Sequence, residues 1–234
     1  MTDSKQPLSK RSSQSEVDAF LKRASSLSNR PQGRGRLVFA MDATASRELT
    51  WSQASSIQGE MFARSAALGG LEVQLVYYRG FAECRASRWT NNSLDLLALM
   101  GAVSCIAGRT QIERVLKHTA TETEAKRIDA LVFVGDAMEE GLDSVAHQAA
   151  RLGLLGVPIF AFHEGSDPRT IRAFSEMAKL SNGACCQFDS NSPQQLSDLL
   201  AAVAVYASGG QEALKAFSTK QGGVTQRLIH QLKE

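Results

Sequence analysis

The chain has 234 residues, 43% hydrophobic and 21% charged, enough apolar content for one large α/β domain to fold without disulfide or metal staples. Its formal charge is +2, from 26 Lys and Arg against 24 Asp and Glu, so the total gives no argument for a nucleic-acid or membrane-surface binder. Four cysteines without a CxxC pair exclude a disulfide framework and a zinc knuckle, and a polar N-terminus with no window near the roughly 18 apolar residues of a membrane span predicts a soluble, cytoplasmic protein with reduced thiols.

Charge is uneven along the chain. Residues 1–36 carry eight basic side chains against three acids, a net of +5 that leaves −3 for the rest. The first 13 residues are rich in Ser, Lys and Gln and lack any apolar period, which predicts a disordered tail. Val17, Phe20, Leu21, Ala24 and Leu27 then trace the stripe of a short amphipathic helix, and Asn29–Arg36, with Pro31, Gly33 and Gly35, breaks it. Residues 1–35 therefore read as a flexible basic arm, residues 36–206 as the domain and residues 207–234 as a C-terminal helix.

Within the domain, short apolar runs alternate with helical patterns. Strands are predicted at Leu37–Met41, Leu71–Tyr78, Asp129–Gly135, Gly156–Phe162 and Ala184–Phe188. The weaker segment Ala82–Trp89 is predicted to hairpin onto the second strand. Helices are predicted at Glu48–Leu68, Leu94–Ala107, Ile112–Thr119, Leu142–Leu154, Pro168–Leu180 and Pro193–Tyr206, with a last helical stretch over Glu212–Leu232. The central runs are continuously apolar, as parallel strands covered on both faces must be. Such alternation specifies an α/β fold with a doubly wound, mostly parallel sheet, Rossmann-like in layout, and the hairpin adds one antiparallel edge strand.

Open parallel sheets bind ligands at the carboxyl ends of their strands. Asp42-Ala43-Thr44-Ala45-Ser46 follows the first strand, Asp136 follows Asp129–Gly135, and Gly108-Arg109-Thr110 opens a helix between them. These residues supply two carboxylates and three hydroxyls with no His or Cys, an all-oxygen set suited to a hard cation: Mg²⁺ or Mn²⁺, and Ca²⁺ after them.

The pattern DATAS after the first strand, Thr110 in its turn and Asp136 after a later strand resembles the von Willebrand factor type A domain with its metal-ion-dependent adhesion site, written DxSxS, then Thr, then Asp. The resemblance spans residues 36–206. It implies that Thr44 and Ser46 coordinate the cation directly, with Thr110 as a third hydroxyl ligand or one water away. Asp42 and Asp136 then hold coordinated waters and orient the hydroxyls. It further implies a metal-dependent protein-protein interaction module in a cytoplasmic assembly, not an enzyme, whose partner offers an Asp or Glu carboxylate to the ion. Thr44 stands where Ser is usual and keeps the hydroxyl. Arg109 and Ala137 stand where Gly is common, and Ala137 would force a different loop path if that turn needed positive φ.

A second reading uses Asp42 as the nucleophile of a haloacid dehalogenase-like phosphatase, with GDAMEE (Gly135–Glu140) after a later strand. That chemistry needs an acid two residues on as proton donor, and the residue there is Thr44. No phosphate loop GxxxxGK[ST] and no GxSxG elbow occurs, and His118, His147, His163 and His230 lack metal-ligand spacing. Arg79, Arg85, Arg88 and Trp89 read as a solvated edge strand before a patch for single-stranded nucleic acid.

Overall fold

Every residue of Gly35–Asp42, the first strand (β1), is buried, as its uninterrupted apolar run requires. The computed structural model describes residues 34–188 and 193–221. The helix expected over Val17–Leu27 and the part of the expected last helix beyond Gln221 lie outside those residues. The remaining strands are β2 (Leu71–Arg79), β3 (Glu83–Thr90), β4 (Ala130–Gly135), β5 (Ile159–His163) and β6 (Ala184–Gln187). The helices are α1 (Glu48–Ile57), α2 (Gly59–Ser65), α3 (Ser93–Gly101), α4 (Ile112–Ala125), α5 (Leu142–Leu154), α6 (Pro168–Leu180) and α7 (Pro193–Gln221). Among the described residues none of them is long and apolar enough to cross a membrane.

The sheet order is β3-β2-β1-β4-β5-β6, all pairings being parallel except the antiparallel β2–β3 edge. This is the mostly parallel, doubly wound sheet the sequence predicts. Alternation along β1 divides the core: Leu37, Phe39 and Met41 point to a layer built by α1, α2, α3 and α7, while Val38 and Ala40 point to a layer built by α4, α5 and α6. The edge strand is held by charge and ring contacts. The Arg36 guanidinium lies 3.8 Å from the Trp89 ring centroid, Trp89 donates to Glu122 at 2.9 Å, and Arg79, Arg85 and Arg88 pair with Glu83 or Asp95.

Several boundaries differ from the sequence expectation. The predicted helix Glu48–Leu68 is divided at Gln58 into α1 and α2 and ends in a 3₁₀ turn at Ala66–Leu68. The predicted helix Leu94–Ala107 stops at Gly101: Ala102 and Val103 N–H still close the last turn on Ala98 and Met100 C=O, and the backbone beyond them bonds to residues at the strand ends. Ile106 N–H donates to Ala43 C=O at 3.1 Å, and Ser104 C=O accepts from Arg79 Nη1 at 2.7 Å. The helix predicted over Ile112–Thr119 continues to Ala125, and the strand predicted from Gly156 begins at Ile159. Finally, α7 runs on through residue 207 and bends at Gly210, whose φ of 71° and ψ of −165° are open to glycine; the gap expected between Tyr206 and Glu212 is this kink.

Candidate metal centre

Strands β1 and β4 are neighbours at the middle of the sheet, and the chain leaves them in opposite directions, toward β2 and toward β5. This is the topological switch point, where strand ends leave a crevice. Asp42 ends β1 and Asp136 follows β4. Asp42 is 1% exposed. Its Oδ1 accepts from Thr44 N–H at 2.7 Å and its Oδ2 accepts from the Tyr78 hydroxyl at 3.1 Å. Burial raises the Asp42 carboxyl above the ordinary aspartate value and the Asp136 charge adds to the rise, while the hydrogen bonds from Thr44 and Tyr78 oppose it. Burial likewise drives the Tyr78 phenol up, and the charge of Asp42 drives it further.

The chain from Thr44 turns immediately into a 3₁₀ turn at Ala45–Arg47, which brings side chains two apart to one side of the crevice. The Thr44 and Ser46 hydroxyl oxygens lie 3.3 Å apart, and Ser46 donates to Asp136 Oδ2 at 3.0 Å. Four of the five expected residues, Asp42, Thr44, Ser46 and Asp136, therefore form one linked set. The fifth, Thr110, bonds to Glu139. Its hydroxyl accepts from Glu139 N–H at 3.1 Å and its N–H donates to Glu139 Oε2 at 2.9 Å. The loop carrying Thr110 reaches the strand ends because Gly108 packs on Gly80: a Cβ there would stand 2.2 Å from the Gly80 oxygen. Arg109 N–H donates to that same oxygen at 2.9 Å. Ala137 needs no unusual backbone, since Asn182 is the one non-glycine with positive φ among the described residues.

Sequence reasoning missed Arg47, Glu164, Tyr78, Glu139 and Glu140. Arg47 is 2% exposed; its Nη1 bonds Glu164 Oε2 and lies 3.5 Å from Asp136 Oδ2. Its Nη2 is buried with no hydrogen-bond partner among the described residues. Thr50 also donates to Glu164, at 3.1 Å. Glu140 accepts from Glu113 N–H at 3.0 Å and from Ile112 N–H, satisfying the free donors of the first turn of α4. The strand-end rule that found Asp42 and Asp136 also applies to Tyr78, in register with Asp42 on β2, and to Glu164, the first residue after β5.

No family model and no curated protein sequence matches the chain. Solved structures do. A von Willebrand factor type A protein from Catenulispora acidiphila superposes with a TM-score of 0.60 at 13% identity, covering 74% of this chain and 43% of that one. Proximal thread matrix protein 1 from the mussel byssus, with a zinc-occupied MIDAS motif, gives 0.58 at 13% identity, covering 74% and 46%. The SpRpn10 VWA domain gives 0.56 at 15% identity, covering 71% and 94%. The chain thus spans less than half of the first two proteins and nearly all of the third. The chain has the von Willebrand factor type A fold.

Proposed function

We propose that the protein is a protein-interaction module of the von Willebrand factor type A kind, whose strand-end site holds a divalent cation and works within a cytoplasmic assembly. The observation that carries this reading is the linked set Asp42, Thr44, Ser46 and Asp136 at the switch point, joined across 90 residues of sequence by the Ser46–Asp136 hydrogen bond. The set fits a hard cation, since its donors are hydroxyls and carboxylates. Thr44 and Ser46 would bind the ion, Asp42 and Asp136 would orient those hydroxyls and balance its charge, and Thr110 would join through water. Mg²⁺ or Mn²⁺ suits this set, Ca²⁺ after them, and the zinc-occupied relative supports a divalent ion in general. A bound ion supplies an electrophilic position that a partner's Asp or Glu carboxylate fills.

The phosphatase reading has less support. Both oxygens of Asp42 are hydrogen-bonded and its side chain is buried, so it is shielded from an incoming phosphorus, and Thr44 is far too weak an acid near neutral pH to protonate a leaving oxygen. The test is co-purification of the tagged protein with and without EDTA, repeated with Ser46→Ala, which removes one exposed hydroxyl. Partner loss in both is expected. A partner that survives both treatments places recognition on another surface.

A further inference from the structure

Arg47 is a cation built into the same site. Its side chain is 3% exposed, against 25% for Asp136 and 24% for Glu164. A buried guanidinium is tolerated only against anions, and the anions it has taken are the carboxylate expected to serve the metal and the first acid after β5. One atom is contested: Asp136 Oδ2 accepts from Ser46 and faces Arg47 Nη1 at 3.5 Å. A divalent ion that Ser46 and Asp136 helped to hold would meet the like charge of Arg47, in surroundings that screen poorly. Meanwhile Glu164, drawing on Arg47 Nη1 and Thr50, pulls the guanidinium the other way.

We infer that Arg47 is an internal competitor for Asp136 that sets how weakly the site retains its divalent ion, with Glu164 as the counterweight that draws the guanidinium aside. This rests on the metal reading above. It makes the two partners of one ion pair act in opposite directions. Removing the guanidinium frees Asp136 and tightens metal binding, whereas removing the Glu164 charge leaves Arg47 to Asp136 alone and weakens it. A merely structural ion pair, pinning α1 to the end of β5, moves the stability of both variants the same way and leaves metal affinity alone.

The test is titration of the full chain with Mn²⁺ alone, following free Mn²⁺ by electron paramagnetic resonance and heat by calorimetry. The variants are Arg47→Met, which replaces the aliphatic stem with an apolar one and removes the guanidinium, and Glu164→Gln. Arg47→Met is expected to lower the Mn²⁺ dissociation constant at least about tenfold, or about 1.4 kcal/mol, and Glu164→Gln to raise it severalfold. Both effects should persist in about 0.5 M KCl, since screening acts on exposed charges far more than on buried pairs. Wild type that binds Mn²⁺ while Arg47→Met binds no tighter overturns the inference and leaves the metal reading standing. Absence of Mn²⁺ binding in wild type and both variants overturns the two together. Binding by Arg47→Met alone supports the inference in its strongest form. Should Arg47→Met not fold, Glu164→Gln decides: weaker binding supports the competitor, and equal or tighter binding overturns it.

Discussion

Asp42 sits in surroundings that favour the neutral acid. Its carboxyl is raised in the folded protein relative to an ordinary aspartate, so between those two values the folded state binds more protons than the unfolded one. The contribution of Asp42 to stability is thus fully present below the ordinary value of 3.8 and is lost as pH rises through the raised one. Asp42→Asn removes that titration while keeping an acceptor for Thr44 N–H; the amide NH2 then faces the Tyr78 hydroxyl, which accepts where it donated before. In metal-free buffer the stability of Asp42→Asn relative to wild type should increase as pH rises from about 4 toward 7, read as the difference in urea midpoints. A constant difference across that range would mean that Asp42 does not titrate abnormally. The proposed metal site predicts linkage through the same carboxylate: millimolar Mg²⁺ or Mn²⁺ should raise the melting temperature of wild type by mass action, and Asp42→Asn should reduce or abolish that rise. The cysteines are quieter. Burial pushes Cys84 and Cys185 up to about 11, so both remain thiols near neutral pH.

The element that decides whether Thr110 reaches the site is the loop after α3. Residues 102–111 carry no helix or strand, yet their path is fixed by hydrogen bonds to the ends of β1 and β2 and by the contact of Gly108 with the Gly80 backbone. Gly108→Ala places a methyl group inside that contact and must push the two chains apart. It should cost about 1–3 kcal/mol, as overpacking does, and should also weaken metal-linked stabilisation, because Thr110 and Glu139 move with the loop. Unchanged stability together with unchanged metal response would show that the loop adjusts freely.

At the scale of the molecule, one sheet separates two cores, and both cores grip the same strands. Phe39 and Phe133 are each fully buried, on opposite faces and on the adjacent strands β1 and β4. Truncating either to Ala should cost about 3–5 kcal/mol. Because the layers share β1 and β4, each substitution should lower one common unfolding transition, seen alike by far-ultraviolet and near-ultraviolet circular dichroism. Two separated transitions in either variant would mean that the layers unfold independently.

The sequence by itself determined the class of the fold and pointed to the strand ends where the candidate site lies. Continuously apolar runs such as Leu37–Met41 demand strands covered on both faces, and helices between them demand parallel crossovers, so the carboxyl ends became the place to look. Asp42, Thr44 and Ser46 were legible because they sit on a single turn and their spacing alone brings them together. Only the tertiary structure decided the rest. Strand order puts β1 beside β4, and that adjacency, not any local pattern, lets Ser46 reach Asp136. It also sets Arg47 against Glu164, 117 residues away, and ties Thr110 to Glu139 in place of the hydroxyl pair. Periodicity reports which face of an element is apolar. It carries no information about which strand end will be its neighbour, and that is where the buried guanidinium entered the site.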